Sequence, residues 1–255
     1  MMREREDEAA NVAISIALEV IATSATDVVE AARGGADRIE LVADLRQGGL
    51  TPDRALVAEA VRLSPIPVRV MIRPHARSFR YDRADLAAMR ADIAAARAAG
   101  AAGLVFGALA ADGRIDRDAL EALLAAAGDT PVTFHRAFDD AADVDEALET
   151  LLAYPTIDRL LTSGGVPSAV DGAATIVRLV RRISREPGSK LRLLAGSGLT
   201  PETLAPFLDA TGVREVHFGR AARRGSDVDA PVDAARVRAI KTILTEWARD
   251  RENGS

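Results

Sequence analysis

The chain contains no cysteine, and this absence excludes several kinds of chemistry at once. Without a thiol there is no disulfide, no thiolate ligand for a metal ion and no cysteine nucleophile. Disulfides are the usual sign of an oxidising compartment, so a sequence without cysteine leaves the redox compartment undetermined. The side chains that remain for metal binding are carboxylates, four methionines and three histidines.

An excess of positive charge is also missing. The 255 residues include 33 Lys and Arg against 38 Asp and Glu, which gives a net charge of −5. Nucleic acids and anionic membranes are bound through a basic excess, so we expect neither as a partner. No stretch reaches about 18 uninterrupted apolar residues, so no membrane span is predicted. Residues 1–8 are acidic and polar rather than a signal peptide, and we expect a soluble intracellular protein.

Short β-rich runs alternate with longer alanine-rich stretches along the chain. The predicted strands are 14–20, 38–42, 68–73, 103–107, 132–135, 159–162, 191–195 and 215–218. The predicted helices are 25–34, 52–63, 82–99, 116–127, 144–153, 168–184, 201–210 and 232–250. Most strands are near-continuous apolar runs, which is typical of a parallel sheet buried on both faces. Thr51-Pro52 and Thr200-Pro201 place an N-cap before an N1 proline, and Asp82, Asp116 and Asp143 are further candidate N-caps.

Eight βα units in about 240 residues predict an α/β fold, the (β/α)8 TIM barrel. The main alternative, a doubly wound open sheet, would usually carry a glycine-rich fingerprint in its first βα turn, and that turn reads Ile21-Ala-Thr-Ser24. No linker-like composition interrupts the pattern. We therefore expect a single TIM-barrel domain over residues 14–250, a flexible N-terminal tail over 1–13 and a C-terminal tail over 251–255.

Ionisable residues recur at the carboxyl ends of the predicted strands, which form the active face of a TIM barrel. The segment Pro131-Val-Thr-Phe-His-Arg-Ala-Phe-Asp139 shows the pattern best, because an apolar strand gives way abruptly to charged groups. Six residues with this placement are candidate catalytic groups: Glu19, Glu40, Arg73, His135, Arg136 and His217. We expect the two arginines and the two histidines to be the partners of the buried glutamates.

Each of these residues also has a purely structural interpretation. The glutamates could form buried ion pairs without chemistry, and His217 could be a hydrogen-bonded strand histidine. Asp139 could cap the next helix while Arg136 makes a salt bridge. His75, in the loop after strand three, is interpreted as a solvated loop residue. The parity that His135 shares with Thr133 predicts that its ring points into the barrel.

Glycines follow strands seven and eight, where barrels often bind phosphate through backbone N–H groups. Strand six ends in Thr162-Ser163-Gly164. Arg220 could add a fork of donors to such a site. Ordinary turns are the alternative interpretation. The candidate anion-binding residues are Ser163, Gly164, Gly196, Ser197, Gly198, Gly219 and Arg220.

Taken together, these motifs resemble the CutC copper-homeostasis family, in order from about Leu18 to Arg220. The matching segments are Gly35-Ala-Asp-Arg-Ile-Glu-Leu41, Gly48-Gly-Leu-Thr-Pro52, Ile72-Arg-Pro74, Thr133-Phe-His-Arg-Ala-Phe-Asp139, Leu161-Thr-Ser-Gly164 and Glu215-Val-His217. The resemblance implies a TIM barrel, a cytoplasmic location, copper binding and a homodimer or higher homo-oligomer. This chain departs from relatives that carry cysteines near the first strand, from those that read Arg-Pro-Arg-Gly-Gly where it has Arg73-Pro-His-Ala-Arg77, and from those with small serines after the position of His217.

Two functions of different classes are compatible with these residues. The first is copper handling, with copper ion as the bound partner. Cu(I) prefers thiolates and thioethers, which are scarce here, whereas a Cu(II) site from His135, His217 and Glu40 is chemically consistent. The second is an enzyme acting on a small anionic or phosphorylated metabolite, with Glu19 or Glu40 as base, His135 as acid or electrophile and Arg73 as anion clamp. No lysine lies at a strand end, which argues against Schiff-base chemistry. A non-catalytic scaffold would leave the polar strand ends unexplained.

Overall fold

Eight parallel strands close into a barrel in the computed structural model, which describes residues 14–253. The strands are β1 (Ala17–Ala22), β2 (Arg38–Leu41), β3 (Val68–Met71), β4 (Gly103–Phe106), β5 (Val132–Phe134), β6 (Ile157–Thr162), β7 (Arg192–Gly196) and β8 (Glu215–Phe218). Each strand pairs with the next one in sequence, and β8 pairs with β1 to complete the ring. The predicted single-domain TIM barrel is confirmed.

A helix follows each strand and packs on the outside of the barrel. The helices are α1 (Ala25–Gly34), α2 (Arg54–Leu63), α3 (Arg83–Ala98), α4 (Arg117–Ala127), α5 (Val144–Leu152), α6 (Ala173–Ser184), α7 (Pro201–Thr211) and α8 (Ala234–Asn253). Asp82, Asp116, Asp143 and Thr200 cap the helices as predicted.

The N-cap of α2 is Asp53, whose side chain accepts from the Leu56 N–H, so the prediction that Thr51 caps this helix is wrong. The Thr51 hydroxyl instead accepts the Arg73 N–H at 2.8 Å. A residue expected to start a helix thereby fixes the backbone that carries a candidate site arginine.

The last helix ends later than predicted. Residues 251–253 continue α8, so the expected C-terminal tail is helical over those three residues. The expected N-terminal tail over residues 1–13 lies outside the described residues. Within residues 14–253, no helix combines the length and the apolar character needed to cross a bilayer.

Apolar side chains form two separate clusters. The large one lies between the sheet and the surrounding helices, and alternate strand residues such as Leu18, Val20 and Ile39 contribute to it. The small one comprises Ile21, Val42, Met71 and Val105, with Leu45 against it. Successive strand residues point to opposite faces, so a residue two positions away from a member of this small cluster also points into the barrel. Many of these residues are charged, and the candidate site is built from them.

Candidate active site

A histidine between two carboxylates forms the centre of the site. Strand pairing places Glu19 beside His217, and the Glu19 Oε1 lies 2.8 Å from the His217 Nδ1. The Glu40 Oε2 lies 3.7 Å from the other ring nitrogen of the same histidine. Glu19 was predicted to lie near the end of β1. It lies in the middle of the strand, because the strand continues to Ala22. The prediction that His217 partners the buried glutamates is confirmed by these contacts.

The surroundings shift the pKa values of these three groups away from their ordinary values. Burial disfavours the charged form of Glu19, but the Arg38 guanidinium and the His217 ring outweigh it and hold the pKa of Glu19 well below its usual range. Burial raises the pKa of Glu40 to about 7, and the His217 charge only partly offsets that effect. Burial also opposes protonation of His217, yet the Glu40 and Glu19 carboxylates together raise the pKa of its ring. Glu40 is therefore the carboxyl of this triad that titrates near neutral pH.

His135 lies just after β5 and is 3% exposed. Its Nδ1 accepts the Ala137 N–H at 3.2 Å, and its ring centroid lies 4.8 Å from that of Phe79. Burial lowers the pKa of His135 to about 3, with a further contribution from the Arg73 charge, so the ring is neutral. His135 lines the central cavity, as its parity with Thr133 predicts.

Arg73 lies two residues beyond β3, and the loop after β2 holds its side chain. Its Nη1 donates to the carbonyl oxygens of Gln47 at 2.8 Å and Gly49 at 3.1 Å. Its guanidinium carbon lies 4.6 Å from the centre of the Phe79 ring. Arg73 therefore contacts backbone and an aromatic ring, so the expectation that it pairs with a buried glutamate is wrong.

Arg136 is also not a partner of the glutamates. Its Nε donates to Asp139 at 2.8 Å, its Nη2 to the Ser163 hydroxyl at 2.9 Å and its Nη1 to the Ser197 hydroxyl at 3.3 Å. The side chain is 41% exposed. Arg136 thus ties the loops after β5, β6 and β7 together at the rim of the barrel.

Asp139 is fixed within the same rim. It accepts hydrogen bonds from the Thr162 and Ser163 side chains and from the backbone N–H groups of Ser163 and Gly165. The sequence interpretation of a salt bridge to Arg136 is confirmed, but Asp139 does not cap the next helix, because Asp143 does.

These groups surround one cavity of about 820 Å3 at the carboxyl ends of the strands. Of the predicted residues, its lining includes Glu40, Arg73, His135, Arg136, Ser197, Gly198, His217, Gly219 and Arg220. Glu19 lies beneath the lining, fully buried. Ser163, Gly164 and Gly196 are absent from the lining. Ser163 is buried and bonded to Arg136 and Asp139.

Sequence reasoning missed a second set of charges deeper in the barrel. Arg38 donates to Glu19 and, at 2.8 Å, to Glu215, which also accepts from Arg159 at 2.6 Å. Asp158 pairs with Arg159 and accepts both ends of the Arg69 guanidinium, at 2.7 and 2.6 Å. We call this set the ion ladder: Arg38, Glu215, Arg159, Asp158 and Arg69.

The strand period could have revealed part of the ladder. Arg38 lies two residues before Glu40, and Glu215 lies two residues before His217, so each shares the inward face of a candidate site residue. Phe79 was also missed, since a lone aromatic residue in a loop carries no such periodic signal. His75, expected to be solvated, is only 14% exposed at its side chain and contacts Asp85 at 3.1 Å, outside the cavity lining.

Copper can be tested against the donors that are present. Single ligand atoms of Glu19, Glu40 and His217 lie within 4.8 Å of one another, and carboxylate and imidazole suit Cu(II). His135, the other predicted metal ligand, is not part of this group. The carboxylate of Glu19 is already bonded to Arg38 and His217, and a cation there would face the Arg38 charge. The contacts of this group fit a hydrogen-bonded charge cluster better than a preformed copper centre.

A closed parallel barrel with ionisable groups around the carboxyl ends of its strands defines a protein of the TIM-barrel class. The sequence model of the CutC family matches residues 16–222, and the chain belongs to that family.

Relatives and solved structures agree with this assignment. The chain is 39% identical to a family protein CutC of Aliivibrio fischeri, over 89% of this chain and 90% of that protein. It is 40% identical to the human "Copper homeostasis protein cutC homolog", over 82% of this chain and 75% of that protein. The crystal structure of a CutC from Streptococcus agalactiae matches with a TM-score of 0.73 and 30% identity, over 79% of this chain and 97% of that chain.

More distant barrels share the fold alone. Phosphoribosyl anthranilate isomerase from Thermococcus kodakaraensis matches with a TM-score of 0.59 and 17% identity, over 90% of this chain and 98% of that chain.

Proposed function

We propose that the chain is an enzyme that moves protons on a small anionic or phosphorylated metabolite bound in the barrel mouth. The observation that carries this proposal is the state of Glu40. Its Oε1 is buried and has no hydrogen-bond partner among residues 14–253, and the residue lines the cavity. With burial raising its pKa to about 7, this carboxyl is suited to exchange a proton with a ligand at neutral pH.

The rest of the triad supports such a role. His217 lies between Glu40 and an ionised Glu19, and Arg38 fixes Glu19 from below. A proton that Glu40 accepts is therefore next to a second titratable group, not next to bulk solvent. Paired titratable groups in a cleft, with pKa values moved in different directions by their surroundings, are typical of catalytic sites.

The loops after β7 and β8 supply positive charge for an anion. Arg220 is exposed and lines the cavity beside Gly219, and its side chain makes no hydrogen bond to another residue in the range 14–253. Gly198 and Thr200 bring the N-terminus of α7 to the same wall. Backbone N–H groups at a helix start and a free guanidinium suit a phosphate or carboxylate group.

Lysine-based covalent chemistry has no support. The chain has two lysines, Lys190 and Lys241, and neither lines the cavity. Lys241 pairs with Asp37 on the outer surface of the barrel, and Lys190 precedes β7, at the opposite end of that strand from the mouth. Acid–base catalysis is therefore the mechanism that the proposed site favours.

Thermal-shift screening with a panel of phosphorylated and carboxylated metabolites tests this proposal. We expect at least one compound to stabilise the wild-type protein, and Arg220→Ala to reduce that shift because it removes the free guanidinium. Arg178→Ala, which changes an exposed arginine far from the mouth, is the matched control and should keep the shift. If no compound stabilises the protein, or if Arg220→Ala behaves like the control, the proposal loses its support.

Copper homeostasis is a second candidate function. It is favoured by the name of the human relative and by the convergence of Glu19, Glu40 and His217 donors. Equilibration with Cu(I) and Cu(II) against a competing chelator is the test, with His217→Ala and His135→Ala as variants. Binding at about micromolar strength or tighter that His217→Ala abolishes would support a copper site. Weaker binding that neither substitution changes would contradict it.

The cytoplasmic location and the homo-oligomeric state are also proposals, and both rest on the family resemblance. Light scattering coupled to size exclusion measures the second directly. A mass at or above twice 26.9 kDa supports a homodimer or larger assembly, and a mass near 26.9 kDa contradicts it.

A further inference from the structure

Three polar atoms in the cavity region are buried and have no hydrogen-bond partner among residues 14–253: the Glu40 Oε1, the Arg73 Nε and the His135 Nε2. The residues that carry them are 2%, 7% and 3% exposed, and all three line the same cavity. From this set we infer that the ligand of the mouth is a carbonyl compound with an acidic C–H next to the carbonyl, and that the site stabilises its enolate. The inference rests on the proposed acid–base function and names its substrate class.

The hydrogen position on His135 follows from its contacts. The Ala137 N–H donates to Nδ1, so that nitrogen must present a lone pair. A neutral imidazole then carries its hydrogen on Nε2, which is the atom without a partner. Gly107 leaves room for this ring position, since a Cβ there would lie 2.8 Å from the Nδ1. His135 therefore offers one fixed N–H donor to the cavity.

Arg73 offers a second donor by similar reasoning. Two backbone carbonyls, of Gln47 and Gly49, take up its Nη1 and fix the plane of the guanidinium. The Nε–H is left without an acceptor. Both donors flank one ring, because the Arg73 guanidinium carbon lies 4.6 Å and the His135 centroid 4.8 Å from the centre of Phe79. Two buried N–H groups on one aromatic wall are the arrangement expected for binding a carbonyl oxygen.

Glu40 completes the requirement, because a carbonyl held by two donors makes its neighbouring C–H bond acidic. The Glu40 carboxylate removes the proton from that carbon, and the C–H electron pair forms a carbon–carbon double bond. The carbonyl π pair moves onto oxygen, and the resulting oxyanion accepts hydrogen bonds from His135 and Arg73. The reverse transfer returns the proton to carbon, so the step needs no oxidant, reductant or second substrate.

A pair of phosphate esters separates this inference from the proposed function. Phosphoglycolate presents a planar carboxylate that mimics an enolate, whereas glycerol phosphate presents the same phosphate group on tetrahedral carbons. By calorimetry we expect the wild-type protein to bind phosphoglycolate at least about tenfold more tightly. His135→Leu should abolish that preference, and His135→Gln, which keeps an N–H donor of similar reach, should retain most of it. Arg220→Ala should weaken both ligands by a similar factor.

Deuterium exchange tests the chemical step itself. Wild-type protein in D2O should exchange the carbon-bound hydrogens of dihydroxyacetone phosphate faster than buffer, as followed by proton NMR, and Glu40→Gln should reduce the rate to that of buffer. Equal affinity for the two phosphate esters, with Arg220→Ala weakening both, would overturn the enolate inference and leave the anion site standing. If neither ester binds, both the enolate inference and the proposed anion site are overturned. Exchange that persists in Glu40→Gln would remove Glu40 as the base.

Discussion

The lower and upper parts of the barrel interior contain the same kinds of side chain in opposite states. In the ion ladder, Glu215 accepts from two arginines, and Asp158 accepts both ends of Arg69. At the mouth, Glu40, Arg73 and His135 each keep a buried polar atom without a partner among residues 14–253. Because an unpaired buried polar group costs about 1–3 kcal/mol, this difference separates groups that hold the barrel together from groups that await a ligand.

The largest effect is expected in the ion ladder, and its absence would contradict this comparison. Glu215→Gln removes the charge that Arg38 and Arg159 share, and two guanidinium groups remain in the barrel with one carboxylate fewer. Removing one partner of a buried ion pair costs about 3–5 kcal/mol, so we expect a loss of that size in the free energy of unfolding, measured by urea denaturation. Glu40→Gln at neutral pH is the control at the mouth. A ladder variant that costs no more than this control would show that the two regions do not differ.

A second effect, on the order of 3 kcal/mol, concerns the pH dependence of stability. The pKa of Glu40 is raised from 4.5 to about 7 in the folded chain, so the stabilisation from this group is present below pH 4.5 and is lost as pH rises to 7. Gln does not titrate. Relative to wild type, Glu40→Gln should therefore gain stability between these pH values and level off above them.

His135 provides the opposite control. Its pKa falls from 6.5 to about 3 on folding, so the wild-type protein loses stability as pH decreases between those values. His135→Gln should accordingly gain stability relative to wild type towards low pH. Denaturation curves across this range measure both trends, and parallel curves for all three proteins would mean that burial does not shift these groups.

Gly107→Ala should have an intermediate effect. The added methyl group would lie 2.8 Å from the His135 Nδ1 and 2.9 Å from the Phe134 ring, so one of them must move. Overpacking of this kind costs about 1–3 kcal/mol, and displacement of His135 should also reduce the preference for phosphoglycolate over glycerol phosphate. Calorimetry together with urea denaturation measures both effects. Unchanged stability with unchanged binding would show that the ring is not held by this contact.

The smallest effect is expected at an exposed ion pair. Arg178 donates to Asp145 at 3.0 Å, but their side chains are 54% and 59% exposed. Solvent screens such pairs, so Arg178→Ala should lower the free energy of unfolding by about 0.5 kcal/mol or less. A cost approaching that of Glu215→Gln would mean that burial is not what separates the ladder from other ion pairs.

Much of the fold could be predicted because its signals are local. The bounds of β8 and α1 are those predicted, since an apolar run and a capped helix define them without tertiary information. The start of α6 was predicted at Ser168, five residues too early. Gly172 packs against the loop after β6, where a Cβ would lie 1.9 Å from the Ser163 carbonyl oxygen, and the helix begins only after it. Contacts of this kind between distant segments leave no mark in a local sequence pattern.

The site shows the same division between local and long-range information. Placement at strand ends was enough to select Glu40, His135 and His217, which the fold brings to one cavity, although their catalytic roles stay predictions. Pairing could be predicted only in part. His217 is a partner of Glu19, as predicted, but the second partner of Glu19 is Arg38, at the start of the next strand, rather than an arginine at the mouth. Strand ends therefore identified the groups and one of their pairings, and only the closed barrel identified the others.

The ion pair between Arg38 and Glu215 has a consequence for how the chain reaches its folded state. It joins residues 177 positions apart, from the second strand and the last. A chain that had assembled only its first seven strands would keep the Arg38 and Arg159 guanidinium groups in its interior without the carboxylate they share. Such a partial barrel would not be a stable intermediate. We therefore expect truncation before β8 to yield an unfolded chain rather than a smaller folded one.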